Sequence, residues 1–200
     1  MTMLGHTAIR LSVRTEPLPV TGEFPPLFAL VGAHGGAGVS TLATMWAPAA
    51  DTSRCWPTSP ATTRRVLVVA REHMSGIAAA ADVLRAAHEG TAPLGVQVCG
   101  LITVAAEPGR ASKDVLRYAR TVAELAPHSY RIPWLKALIP LLHRQLPTWR
   151  PTDGVKATRA SSDGVLASVP SAIAAVGQQI CDDLAADHAA AHSDPSSTVA

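Results

Sequence analysis

The residues best suited to chemistry lie together in Gly32-Ala33-His34-Gly35-Gly36-Ala37-Gly38-Val39-Ser40-Thr41. An apolar run, Leu27-Phe28-Ala29-Leu30-Val31, leads into this segment, and a helix-forming stretch follows it. A glycine-rich turn between strand and helix lets several backbone N–H groups converge on one anion, the arrangement a phosphate-binding loop requires. The helix that Val39, Ser40 and Thr41 open adds the partial positive charge of its N-terminus. What the segment lacks is an ammonium group, because the chain has no lysine before Lys113.

The elements that must carry this loop follow from hydrophobic patterning. Residues 27–31, 65–70, 96–104 and 129–132 read as strands, and the first two are apolar on both faces, as buried parallel strands are. Helices are expected over 39–47, 75–88, 112–126 and 134–143, with Gly90 and Pro127 as stops. Residues 48–63, with Pro48, Pro57 and Pro60 among many Ser and Thr, read as a loop. The alternation predicts a mostly parallel sheet covered on both faces. The segment 1–25 reads as a flexible leader, 26–143 as the α/β domain, 144–162 as a linker, 163–191 as an Ala-rich C-terminal helix and 192–200 as a tail. Ile173, Val176, Ile180 and Leu184 form the apolar stripe of that helix.

The loop spacing resembles the deviant P-loop of the ParA/MinD family, whose pattern is Lys-Gly-Gly-x-Gly-Lys-Ser/Thr. Gly35, Gly36, Gly38, Ser40 and Thr41 match it, while His34 stands at the signature lysine and Val39 at the phosphate-gripping lysine. The resemblance implies a reduced three-layer α/β sandwich of the P-loop type with flexible termini. It implies nucleotide binding at Gly35, Gly36, Gly38, Ser40 and Thr41, with ATP and Mg²⁺ as ligands. Later segments continue it: Val66-Leu67-Val68-Val69-Ala70, then Cys99-Gly100-Leu101-Ile102-Thr103-Val104, then Tyr130-Arg131-Ile132-Pro133-Trp134. Where the family keeps its switch and Walker B strand, this chain has the Pro/Ser/Thr loop. Residues 27–143 also resemble an uncharacterised actinobacterial ParA-like group that accompanies mobile-element and conjugation genes.

The departures from that pattern set the functional expectation. The P-loop lysine neutralises charge on the β- and γ-phosphates during phosphoryl transfer, and Val39 can supply neither charge nor donor. Between Leu42 and Ala81 the acids are Asp51 and Glu72, neither placed as a good Walker B. The expectation is a degenerate, non-catalytic P-loop protein working through contacts with an unidentified protein in a conjugation, plasmid partition or secretion apparatus. The alternative is a nucleotide-responsive protein with weak ATP or dinucleotide binding. No catalytic residue and no metal ligand is assigned.

His34-Gly35-Gly36-Ala37-Gly38 resembles an esterase oxyanion loop, but no Gly-x-Ser-x-Gly elbow accompanies it. Gly36 to Thr41 also reads as a worn dinucleotide fingerprint, with Arg71 suited to a 2′-phosphate. Arg110, Lys113, Arg117 and Arg120 recur at helical spacing as a basic strip for DNA phosphate or an acidic partner, though an ordinary solvated helix face is favoured. The pair His188 and His192 sits near a chain end and lacks the spacing of a metalloprotease helix. Trp134 and Trp149 bracket an apolar surplus that includes Leu138 and Ile139, and they are the expected anchors of a protein interface.

Composition bounds these readings. The net charge of +2 is too small to indicate a nucleic-acid binder by itself. Cys55, Cys99 and Cys181 have no CxxC spacing, so a disulfide framework is not expected and a cytoplasmic setting is. No run of eighteen apolar residues marks a membrane span. Alanine supplies 36 of 200 residues, so helices should pack close to the sheet.

Overall fold

The computed structural model describes residues 11–20, 22–158 and 161–193. Its strands are β1 (Ser12–Arg14), β2 (Phe28–Gly32), β3 (Ala49–Asp51), β4 (Cys55–Pro57), β5 (Arg65–Arg71), β6 (Gln97–Val104) and β7 (His128–Ile132). Its α-helices are α1 (Val39–Met45), α2 (Met74–His88), α3 (Lys113–Ala123), α4 (Ser162–Ala167) and α5 (Ser171–Ser193). Five strands form one all-parallel sheet in the order β3-β2-β5-β6-β7.

The apolar runs explain that sheet. Every residue of β2 is buried, as are Val66 to Ala70 of β5, because helices cover both faces. Alternate residues feed two cores. Phe28, Leu30, Leu67 and Val69 pack with α1 and α5, whereas Ala29, Val31, Val66 and Val68 pack with α2 and α3. The path β5-α2-β6-α3-β7 moves outward across one face, and β2-α1-β3 moves the opposite way across the other, as right-handed crossovers demand. The chain therefore reverses its direction of growth beside β2. Ligands of open parallel sheets bind in the crevice that such a reversal creates at the carboxyl ends of the strands.

Several expectations need correction. Residues 48–63 are not wholly loop: β3 extends the main sheet as its edge, and β4 pairs in parallel with β1. Three-residue strands rich in Ala and Pro write no periodic signal. Part of the segment read as a flexible leader is consequently structured, with β1 paired and Leu18 2% exposed in the core. Residues 1–10 and 194–200, the rest of the expected leader and most of the tail, lie outside the described residues.

The helix expected over 134–143 does not form. Pro133, Pro140 and Pro147 lack N–H donors at seven-residue intervals, and only 3-10 turns at Lys136–Leu138 and His143–Gln145 fit between them. The stretch 144–162 is more than a linker, since Trp149 within it is 4% exposed and forms a parallel bridge with Trp46. The C-terminal helix is broken in two. Pro170 excludes the α conformation from the residue before it, so α4 stops at Ala167 and α5 starts at Ser171. On α5, Ile173, Ile180 and Leu184 are buried against the sheet and Val176 is partly so.

Candidate functional site

The glycine loop sits where the strand order reverses. β2 ends at Gly32, Ala33 N–H donates to Val69 O at 2.9 Å, and α1 begins at Val39. Gly36 and Gly38 have φ of 76° and 104°, a left-handed backbone that side chains disfavour, so glycine is required at both turns.

His34 is fixed by the backbone. Its Nε2 accepts the Arg71 N–H at 3.0 Å, which places the ring proton on Nδ1, and Nδ1 donates to Gly35 O at 2.8 Å. The ring thus ties the loop to the end of β5 and presents no cation to it. Val39 is 8% exposed: it belongs to the core cluster of Leu42 and Phe28 and borders the cavity before the loop with an apolar side chain. The position that carries the phosphate-gripping lysine in the P-loop pattern is here a core position.

Positive charge reaches the loop from elsewhere. Arg71, at the end of β5, donates from Nε to Gly36 O at 3.1 Å and from Nη1 to Ala105 O at 2.9 Å. Burial pushes its guanidinium below the usual arginine value, yet a group that basic stays charged. Arg54 approaches from the segment after β3, where Ser53 and Arg54 adopt positive φ of 55° and 60°. A cavity of about 460 Å³ lies before the loop, walled by its glycines together with Asp51, Arg54, Arg71 and His143.

The hydroxyls of the motif are engaged. Ser40 Oγ donates to Asp51 Oδ2 at 2.7 Å, while Asp51 Oδ1 accepts the Ser53 N–H at 2.7 Å. Thr41 Oγ1 lies 3.1 Å from His143 Nε2. Ser40 and Asp51 are the pair that could hold a divalent cation, but among the described residues no group of three or more His, Cys, Asp or Glu could hold a metal ion. The residues present do not fit a Mg²⁺-dependent phosphoryl-transfer centre, which needs a lysine and further acids.

Glu72, the other acid of this region, faces elsewhere. It is 5% exposed and bonds both carboxylate oxygens to Arg131, at 2.8 Å from Nε and 2.6 Å from Nη2. That bidentate bond raises the Arg131 guanidinium above its usual value.

The structure divides the predicted basic strip. Arg117 pairs with Asp114 at 2.8 Å, Lys113 projects into solvent at the start of α3, and Arg110 and Arg120 line a second cavity with Arg131. The two tryptophans also part company. Trp134 is half-buried in an apolar cavity of about 230 Å³ beside the loop, whereas Trp149 belongs to the core and donates from Nε1 to Gly154 O at 2.9 Å. Trp149 is therefore no interface anchor. The His188 and His192 rings lie 4.1 Å apart, tilted by 49°, with His188 Nδ1 3.2 Å from Arg65 Nη2 and His192 Nδ1 donating to His188 O, an arrangement that holds a helix rather than a metal. Cys99 is 3% exposed, and burial pushes its thiol up, away from nucleophilic use.

One cluster escaped sequence reading. Tyr130 OH donates to Asp183 Oδ2 at 2.8 Å and His128 Nε2 lies 3.0 Å from Asp187 Oδ2, fastening α5 to the edge strand β7. Partners more than fifty residues apart leave no local spacing to recognise.

Comparison with known families places this arrangement. The chain belongs to DUF6668, a family of unknown function. The match covers residues 27–141, from the start of the main sheet to the proline-interrupted segment beyond β7. It thus contains the glycine loop, Arg54, Arg71 and the Glu72–Arg131 pair, while β1, α4 and α5 lie outside it. No curated protein and no solved structure matches the chain.

Proposed function

We propose that this DUF6668 protein is a non-catalytic relative of the P-loop ParA/MinD type that acts through protein contacts in a conjugation, plasmid partition or secretion apparatus. The observation that carries the non-catalytic reading is the burial of Val39. A side chain packed among Leu42 and Phe28 leaves nothing at that position to neutralise a transferring phosphoryl group. The resemblance of residues 27–143 to a mobile-element-associated group supplies the setting. Beside the loop, Ile139 is 64% exposed and lines one cavity with the half-buried Trp134, Leu138 and Leu141, an apolar surface suited to a protein partner.

A second reading, weak nucleotide binding without turnover, is favoured by one feature: Arg54 and Arg71 wall the loop cavity from two different elements. Steady-state assays of Mg²⁺-dependent ATP turnover on the wild type and a Val39→Ala variant test the first reading. Equal rates at background are expected, and a wild-type rate clearly above that of Val39→Ala overturns it. Calorimetric titration with ATP then separates the two readings, since binding lost in Arg54→Ala belongs to the second.

A further inference from the structure

The second cavity, of about 460 Å³, is separate from the glycine loop and shares none of its lining residues with it. It lies between α3 and the carboxyl halves of β6 and β7. The consecutive residues Arg71 and Glu72 thus serve different cavities, the first at the loop and the second here. Its volume suits a small molecule.

Charge in this cavity is unbalanced. Its one acid among the described residues, Glu72, is already neutralised by the bidentate bond to Arg131. Arg110, from the turn before α3, and Arg120, two helical turns along it, form no ion pair or side-chain hydrogen bond among the described residues. Arg117 on the same helix does pair, with Asp114, so the unpaired arginines are the two that face the cavity. Arg131 adds a third guanidinium whose orientation Glu72 has fixed in advance, leaving Nη1 free to donate. Ser129 lines the same cavity, and Leu116 and Ala119 of α3 give it an apolar floor over the buried Leu101.

Two uncompensated guanidiniums, a pre-oriented third, a hydroxyl and an apolar floor define one chemistry. We propose that the cavity between α3 and β7 binds a small organic dianion, held by Arg110, Arg120 and Arg131, with its apolar part on Leu116. A phosphomonoester and a dicarboxylate share the recognised chemistry, since the planar guanidinium fork fits both. This proposal goes beyond the reading of the loop and stands whether or not the loop binds a nucleotide.

The test is calorimetric titration of the full chain at low ionic strength with phenyl phosphate, with inorganic phosphate and with succinate. The wild type is compared with an Arg110→Ala, Arg120→Ala double variant, an Arg117→Ala variant and an Arg54→Ala variant. All four arginines are exposed, and circular dichroism confirms that each variant remains folded. Affinity for at least one probe should fall about tenfold or more in the double variant, the equivalent of one lost charge-assisted hydrogen bond. Arg117→Ala and Arg54→Ala should bind like the wild type. The stronger of phenyl phosphate and succinate identifies the acid class, and phenyl phosphate above inorganic phosphate shows the apolar floor in use. No binding of any probe, equal binding in the double variant, or loss confined to Arg54→Ala would overturn the proposal; in the last case the loop alone is the anion site.

Discussion

The Arg71 N–H donates to His34 Nε2 at 3.0 Å, and the Arg71 side chain returns to the same loop through Gly36 O. The two residues close a clamp between the end of β5 and the glycine turn. His34 spends its second ring nitrogen on Gly35 O and Arg71 its Nη1 on Ala105 O, so a loop that resembles a phosphate cradle is held by its own protein.

Restoring the two lysines of the P-loop pattern should therefore not restore a P-loop. In His34→Lys the ammonium has no lone pair to accept the Arg71 N–H, and the Gly35 contact is lost as well. In Val39→Lys a charge enters a position 8% exposed among apolar neighbours. The double variant is expected to lose at least about 2 kcal/mol by urea denaturation and to gain no ATP binding. A wild-type denaturation midpoint together with new ATP affinity would contradict the clamp.

The sheet was legible because strands buried on both faces must be apolar at consecutive positions, and Phe28 to Val31 and Val66 to Ala70 are. The glycine loop was legible because its backbone angles demand glycine at fixed places. What was not legible depends on contacts between distant residues. Nothing near Ser40 announces that Asp51 will meet it, because β3 is too short to be seen as a strand. Asp114 one turn before Arg117 offers it a local partner, but nothing in α3 shows that Arg120 will share a cavity with Arg131 of β7. Side-chain spacing over 134–143 reads as a helix, and the missing N–H donors of Pro133 and Pro140 decide against it.

Gly177 on α5 shows how the fold depends on one close approach. A Cβ at this position would lie 2.7 Å from Trp46 Nε1 and 2.8 Å from Trp149 Cζ3. On an open helix face Gly→Ala stabilises by about 1 kcal/mol. Here the added methyl pushes two indoles apart, and overpacking costs about 1–3 kcal/mol. Gly177→Ala should lower the urea midpoint, and a raised midpoint would show that α5 sits further from the tryptophans than described.

Alkaline pH should destabilise the fold ahead of general denaturation. Burial, helped by the Asp182 charge, pushes the Cys181 thiol up to about 11 from 9.0. Burial also raises Cys99, and burial with the Asp183 hydrogen bond raises Tyr130. Each group keeps its proton longer in the folded chain than in the unfolded one. The Cys181 contribution is intact below about pH 9 and is lost as pH climbs toward 11, because the unfolded thiol ionises first. Melting temperatures recorded across that window should fall for the wild type and fall less for a Cys99→Ala, Cys181→Ala variant. Parallel slopes for the two proteins would remove the thiols from the explanation.

The two tryptophans of the proline-interrupted segment should behave as different kinds of residue. Trp149 is 4% exposed, its indole N–H is bonded to Gly154 O, its backbone N–H donates to Met45 O at 2.8 Å, and its ring meets Gly177. Truncation to Ala leaves a large void beneath α5 and should cost about 3–5 kcal/mol. Trp134 is half-buried on the wall of an open apolar cavity and has no hydrogen-bonded indole N–H among the described residues. Solvent can fill the space it leaves, so Trp134→Ala should cost about 1 kcal/mol or less. Thermal and urea denaturation of the two variants decide the matter. A loss at Trp134 as large as that at Trp149 would make the 133–146 segment part of the core and withdraw the apolar surface on which the proposed protein contacts rest.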